Sequence, residues 1–378
     1  MRIGVPKETT AGERRVALVP ESGKKLIQAG YQILVEAGAG APAGFPDASY
    51  SEAGITLDTD AAAVLGSDLV LKVNPPESSE IAAMAAGSIY LGSLMPLRNL
   101  AAVRALAARR VTAFSTDAIP RTTRAQAMDT LSSMANIAGY KGALLAAAEL
   151  GKYFPMLMTA AGMVPPARVF VIGAAVAGLQ AIATARRLGA NVFATDVRPE
   201  VKEQIESVGA KYVGIELKEA ASAGGGYAKE LTEEDRARQL ELLAAQCAQS
   251  DVVITTALIG GVFAPRLVSA DMVRSMRPGA VIVDLAADGG GNCELSRLGD
   301  TVTVHGVTIL APLNLPSTMP LHASVLFSRN LTAFVQAFTK DKAFQLDFTD
   351  DIQQGAAITH DGEVKHVRTR DALQKDET

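Results

Sequence analysis

Between Arg168 and Arg186 the chain carries no charged residue. The run opens on Val169-Phe170-Val171-Ile172 and then turns through Gly173-Ala174-Ala175-Val176-Ala177-Gly178. Its length lies at the lower edge of the roughly 17–25 residues that cross a bilayer. Gly173 breaks it, however, so a β-branched and aromatic strand, a tight turn and the start of a buried helix account for it better. Gly173 permits the turn and Gly178 lets the helix pack close to the strand. The helix N-terminus then offers free N–H groups and a positive dipole end to a phosphate. A second strand ends in Thr195-Asp196-Val197-Arg198, with Asp196 eighteen residues after Gly178. A carboxylate there would bond the ribose hydroxyls of an adenosine and repel a 2′-phosphate. Together these features point to a dinucleotide, NAD in preference to NADP. The expected contacts are Gly173, Ala174, Ala175, Val176, Gly178, Asp196 and Val197. Ala175 replaces the middle glycine of the usual pattern and places a methyl where the backbone approaches the phosphates. Arg198 reads equally as a contact to the adenine side or as a solvated arginine opening a helix.

The remainder of the 378 residues repeats this kind of structure. Strands are expected near residues 3–5, 32–35, 68–73, 88–91 and 111–114, and again near 168–172, 191–195, 211–213, 252–255, 280–284 and 307–310. Helical windows fall between them, near 21–29, 99–108, 176–188 and 234–248. Strands alternating with helices predict α/β architecture: two Rossmann-like, doubly wound parallel-sheet domains with a cofactor cleft between them. Loop-like Thr116–Thr123 precedes a long Ala-rich helical pattern over 126–150, and loop-like Ala311–Ser317 precedes another over 322–338. Two such crossings make the first domain discontinuous, 1–131 plus 315–378, with 132–314 as the NAD-binding domain; a simple N-then-C split is the alternative. At 48% hydrophobic and 20% charged residues the chain can bury a sizeable core. A net charge of −4 gives no electrostatic reason to expect nucleic acid. Cys247 and Cys293 stand far apart without a CxxC, which argues against a zinc site or a disulfide framework. The N-terminus, Met1-Arg2-Ile3-Gly4-Val5, reads as a first strand and not as a leader.

The stretch Arg121-Thr122-Thr123-Arg124-Ala125-Gln126-Ala127-Met128-Asp129-Thr130-Leu131-Ser132-Ser133 lies where one domain hands over to the other. On a helix beginning near Gln126, positions 126, 129 and 133 share a face. An amide, a carboxylate and a hydroxyl there could hold a carboxamide and a ribose. The plainer alternative has Thr123 capping the helix and Asp129 pairing with a surface arginine. The residues taken alone favour that alternative.

The order RxxRAQxMDxLSSxxNxAGYK, then FPMLMTAAGMVPPARVFVIG and LQAIATARRLGANVFATDVR, resembles the alanine dehydrogenase/transhydrogenase family. Within that family it is similar to the NAD(H)-binding component (the alpha-1 subunit, domain I) of proton-translocating transhydrogenases. The likeness runs over almost the whole chain, through Gly4-Val5-Pro6-Lys7-Glu8, Glu13-Arg14-Arg15-Val16-Ala17, Gly225-Gly226-Tyr227, Val283-Asp284-Leu285-Ala286, Gly290-Gly291-Asn292-Cys293 and Pro312–Ser317. By that resemblance Arg121, Gln126, Asp129 and Ser132 belong to the loop around the nicotinamide and its ribose, and carry the catalytic role. Gly226 and Tyr227 match a loop that closes over bound nucleotide. Thr255, Thr256, Ala257 and Leu258 would line the cofactor's other side.

Alanine dehydrogenases are the rival within the resemblance. They share Arg15 and Lys72 as groups for the substrate carboxylate, and they use a catalytic histidine in the segment matching Ile89–Leu94. Gly92 takes the corresponding place here, and the four histidines (His305, His322, His360, His366) all fall in the last quarter. Oxidising an amino acid removes a proton as well as a hydride and so needs a positioned base. Transfer between two nicotinamide rings moves no N–H or O–H proton and needs orientation. Arg15 and Lys72 then read as structural relics or surface pairs. Asp288 stands where the dehydrogenases also carry an aspartate and does not discriminate. The resemblance implies NAD(H) on this chain and NADP(H) on a partner component. It implies a homodimer, with separate membrane-spanning and NADP-binding subunits holding it at the cytoplasmic face of the inner membrane. The polar tail, Val367 to Thr378, contains no apolar span and fits that division.

Overall fold

A computed structural model describes residues 1–215, 222–223, 227–228, 232–258 and 264–376. It divides the chain into two compact units, Met1–Met134 with Pro316–Thr378, and Ala135–Leu315. The helix Thr130–Glu149 carries the chain from one unit into the other.

In the second unit, alternate residues of one strand feed two different cores. Val169 and Val171 point into a cluster with Ala143, Ala146, Ala181, Ile182 and Ala185, from the helices Thr130–Glu149 and Val176–Arg187. Phe170 and Ile172 face Leu243, Cys247 and Val273, from Glu233–Gln249 and Ala270–Ser275. A strand covered on both faces must be apolar at every position, as Arg168–Ile172 is beyond its first residue. Its neighbours give a seven-stranded sheet in the order Lys211–Tyr212, Asn191–Thr195, Arg168–Ile172, Val252–Thr255, Val281–Asp284, Val307–Leu310, Thr301–Val304. The first six are parallel and the last runs antiparallel. Numbered along the chain, the parallel strands lie 3-2-1-4-5-6, the doubly wound order with its switch point between Arg168–Ile172 and Val252–Thr255.

The first unit repeats that order. Thr56–Asp58, Gln32–Glu36, Arg2–Val5, Leu69–Lys72, Ile89–Gly92 and Thr112–Ser115 are parallel, and Ala357–His360 with Glu363–Val364 extend the sheet antiparallel. Ile3, Leu69, Leu71 and Phe114 pack with Leu26 and with Phe327, Leu331 and Phe334 of the helix Pro320–Ala337. Val70, Tyr90 and Ala113 pack on the opposite face with Val103, Leu106 and Leu373. Leu373 lies in the helix Val367–Asp376, so the polar tail is an ordered element seated on the sheet. Its one buried leucine is hidden in the sequence by the surrounding charge. The antiparallel edges and the hairpin Leu157–Thr159/Gly162–Val164 depart from expectation: Thr301–Val304 and the hairpin strands are short and largely exposed, and Ala357–His360, though buried, spans only four residues, so each leaves little periodicity to read.

Candidate functional site

At the carboxyl end of Arg168–Ile172 the backbone reverses at Gly173, whose φ is +92°. A side chain there would be strained in conformation and would also meet Thr256 Oγ1 at 2.7 Å. A Cβ at Gly178 would lie 1.9 Å from the Gly173 carbonyl oxygen, so both glycines are required for this helix to approach this strand. Ala175 is the N-cap of Val176–Arg187, with φ −76° and no side-chain cap. Its conformation is open to any residue and its side chain is exposed, so the methyl that replaces the usual glycine strains nothing in the chain. The first turn of that helix presents backbone N–H groups that receive no side-chain cap from Ala175, in a cradle that added methyls would fill, and this fits a pyrophosphate.

Asp196 orders the turn. Its Oδ2 accepts from the Ala174 N–H at 2.8 Å. Arg198 reaches the same carboxylate through its backbone N–H at 3.0 Å, Nε at 2.9 Å and Nη2 at 2.9 Å. Arg198 is therefore not a solvated arginine: its guanidinium is 12% exposed, and the hydrogen bonds and charge of Asp196 raise its pKa above the ordinary arginine value. Val197 lies between them, half-buried.

Across the switch point, Thr255 donates to Asp284 Oδ1 at 3.0 Å and Thr256 donates to the Gly173 carbonyl at 3.0 Å. Ala257 follows, and Leu258 is exposed. Asp284 and Asn292, which stand out in the sequence only as members of longer motifs, govern this loop. Asp284 is fully buried and accepts from Thr255, Ser296 and the backbone N–H groups of Ala286, Asn292 and Cys293. An aspartate closing the apolar run Val281-Ile282-Val283 was the available signal, because a carboxylate enters a core only with partners. Asp288 accepts from the Asn314 N–H at 3.3 Å. Gly226 lies outside the described residues, and Tyr227 is described only as backbone in a short antiparallel pair.

In the first unit, the Arg121–Ser132 segment departs from expectation. Thr123–Met128 forms a 3-10 turn, Asp129 is extended (φ −76°, ψ 90°), and the α-helix begins at Thr130. Gln126, Asp129 and Ser133 therefore do not share a helical face. Thr123 does not cap the helix, and among the described residues Asp129 pairs with no arginine. Asp129 caps the helix instead, accepting from the Ser132 N–H at 2.8 Å and Ser132 Oγ at 2.6 Å. The physical reason is that an aspartate competes for the backbone of the following turn and so starts helices better than it continues them. Arg121 and Gln126 are exposed, and Arg124 is anchored by Asp350 and Asp351. Asn330, also unanticipated, donates to the Ala127 carbonyl at 2.8 Å and ties the turn to the helix Pro320–Ala337.

Arg15 and Lys72 are not surface pairs. Arg15 grips Glu13 with Nε at 2.8 Å and Nη2 at 2.6 Å, and Lys72, 1% exposed, lies 2.7 Å from Glu80 and 3.5 Å from Glu8. Burial alone would raise the Glu13 carboxyl, but the hydrogen bonds and charge of Arg15, with help from Asn74, hold it at about 2. Burial outweighs Lys72 at Glu8, whose pKa is raised. At Gly92 a Cβ would lie 2.3 Å from the Lys72 carbonyl oxygen and 2.7 Å from the Tyr90 hydroxyl, so the strand has no room for a side chain at that place.

Comparison with known proteins agrees with this geometry. Residues 4–138 match the N-terminal domain model, and residues 142–367 the C-terminal domain model, of alanine dehydrogenase/PNT. An NAD(P) transhydrogenase alpha-subunit chain of Rhodospirillum rubrum is 45% identical over 376 residues, which is 97% of this chain and 98% of that protein. The alanine dehydrogenase of Halomonas elongata is 30% identical over 99% of this chain and 97% of its own. Among solved structures, the transhydrogenase from Sinorhizobium meliloti aligns with a TM-score of 0.88 at 43% identity, covering 96% of this chain and 100% of that one. With both domain models matched and the sheets wound as described, the chain belongs to the alanine dehydrogenase/PNT family.

Proposed function

We propose that this chain is the NAD(H)-binding subunit of a proton-translocating transhydrogenase, exchanging a hydride with NADP(H) held on a partner component. The observation that carries the choice within the family is at Gly92 and its neighbours. Among the described residues no histidine stands there, no side chain fits at Gly92, and Arg15 and Lys72 already hold carboxylates of the chain itself, so that Glu8 and Glu80 are engaged by Lys72. A site so closed is poorly made to receive an amino-acid carboxylate and take its proton. The higher identity to the transhydrogenase subunit, 45% against 30%, supports the same choice.

When bound, NADH supplies the hydride from its nicotinamide. Gly173, Ala174, Ala175, Val176 and Gly178 would hold the pyrophosphate, while Asp196, Val197 and Arg198 hold the adenosine end. Thr255, Thr256, Ala257 and Leu258 would line the nicotinamide half, with Gly226 and Tyr227 closing over it. Arg121, Gln126, Asp129 and Ser132 would orient the ring and its ribose. Their task is orientation and shielding from water, because no proton has to be moved. Partnership with membrane-spanning and NADP-binding subunits at the cytoplasmic face of the membrane completes the proposal. Among the described residues no helix is long and apolar enough to cross a membrane by itself. A homodimer is supported by the hairpin Leu157–Thr159/Gly162–Val164, which leaves Met158 74% and Met163 63% exposed. Apolar side chains presented in this way mark an interaction surface, and a wild type that sedimented as a monomer at micromolar concentration would overturn it.

The test mixes the purified chain with a separately made NADP-binding component and follows hydride transfer to an NAD analogue. Transfer that depends on both proteins is expected, and alanine with NAD should give none. Alanine oxidation at ordinary dehydrogenase rates would overturn the assignment.

A further inference from the structure

We propose that Asn292 is a positioning residue that clamps the nicotinamide half of the nucleotide site. Its side chain is fully buried, and both of its amide donors and its oxygen are engaged by the backbone of Ala257 and Pro265. Oδ1 accepts from the Ala257 N–H at 3.0 Å, and Nδ2 donates to the Ala257 carbonyl at 2.9 Å and to the Pro265 carbonyl at 2.8 Å. One amide thus holds both sides of a single peptide position and also ties it to Pro265, further along the chain. Main-chain bonds add to the clamp: the Asn292 carbonyl accepts from the Leu267 and Val268 N–H groups at 2.9 and 3.1 Å. Asn292 is fixed in turn through its own N–H, which donates to the buried Asp284 at 3.1 Å.

What makes this more than a core bond is where Ala257 stands. It follows Thr256, whose hydroxyl bonds the Gly173 carbonyl, and it lies just beyond the carboxyl end of Val252–Thr255. That strand is the first of the second half of the 3-2-1-4-5-6 sheet, the half that takes the second mononucleotide of a dinucleotide. Asn292 therefore sets the position of the nicotinamide half through Ala257, and leaves the adenosine half to Asp196. The inference rests on the nucleotide reading above.

Two Asn292 variants, one control variant and one wild-type measurement test it. Asn292→Asp keeps the acceptor for Ala257 N–H but sets a carboxylate oxygen against two carbonyl oxygens, and Asn292→Ser leaves space for water in place of the amide. Either is expected to weaken NADH binding about tenfold or more while 5′-AMP binds within about twofold of wild type. Lys152→Ala, which removes an ion pair to Asp251 at the opposite end of the sheet, should lower the melting temperature and leave both affinities alone. In the wild type, NMR exchange of the Asn292 side-chain amide protons should slow with NADH bound and not with 5′-AMP, which needs no variant to fold. Equal NADH affinity in a folded variant, parallel loss of both ligands, or no difference in amide exchange would overturn the clamp. A wild type that bound no NADH would instead overturn the nucleotide reading.

Discussion

The Asp196 carboxylate receives one hydrogen bond from Ala174 and three from Arg198, so it is oriented before any ribose arrives. It acts on the phosphate turn as well as on the adenosine. Asp196→Asn retains an acceptor for the Ala174 N–H but loses the charge that repels a 2′-phosphate. The expected result is a narrowing of the NADH-over-NADPH preference by roughly tenfold, about 1.4 kcal/mol. Asp196→Ala should cost more NADH affinity than Asp196→Asn, because the Ala174 N–H and the Arg198 guanidinium then lose their partner together. Fluorescence titration of both nucleotides checks this, and equal affinities in the wild type would remove its premise. Gly173, Gly178 and Asp196 were legible in the sequence because a tight turn and a strand-end carboxylate tolerate few substitutes. Arg198 was not, since its two readings differ only in where a flexible side chain settles, and that depends on Asp196 being within reach.

At the scale of elements, legibility followed burial. Strands covered on both faces, such as Leu69–Lys72 and Val252–Thr255, are apolar at every position but the last and stand where the apolar runs place them. The Gln126–Asp129 helix did not form, because the capping strength of Asp129 outweighed the apolar spacing around it. Charged residues show the opposite difficulty: Glu8, Glu13 and Arg15, which follow Arg2–Val5, and Lys72 and Glu80 look like surface charge, yet they close a buried network. That network makes stability depend on pH. Glu13 ionises at about 2 in the folded chain, against an ordinary value of 4.5, so its ionised form is bound preferentially by the native state. Its contribution, on the order of 3 kcal/mol, is present above about pH 4.5 and is lost as pH falls towards 2. Glu8 is shifted the other way and so offsets part of this as pH rises from 4.5. Melting temperature should therefore fall steeply between pH 4.5 and 2 in the wild type. Glu13→Gln should be less stable at pH 7 and show a shallower fall. Parallel pH profiles for the two proteins would contradict the assignment.

Across the whole molecule, two units wound in the same 3-2-1-4-5-6 order have been put to different use. In Ala135–Leu315 the switch point keeps a bare helix N-terminus and a turn that only glycine allows, the fittings of a nucleotide site. In the other unit the equivalent strand ends are filled by the chain's own ion pairs, and the place where a base would stand has no room for one. Chemistry left to such a chain is chemistry in which placement does the catalytic work, and the Arg121–Ser132 segment is where placement should show. Asp129 also caps its helix, so its substitution would disturb the fold as well as the site, whereas Gln126 is exposed on the preceding 3-10 turn. If Gln126 orients the ring, shortening it by one methylene in Gln126→Asn withdraws the amide by about an ångström without disturbing the turn. A misplacement of that size can cost ~100-fold in a transfer step whose reacting atoms must meet at ~3–3.5 Å. Binding, spread over the whole dinucleotide, should change by less than about threefold. Stopped-flow transfer to the partner's NADP, set beside an NADH titration of the same variant, separates the two. A variant that loses rate and affinity in equal measure would show that Gln126 merely binds.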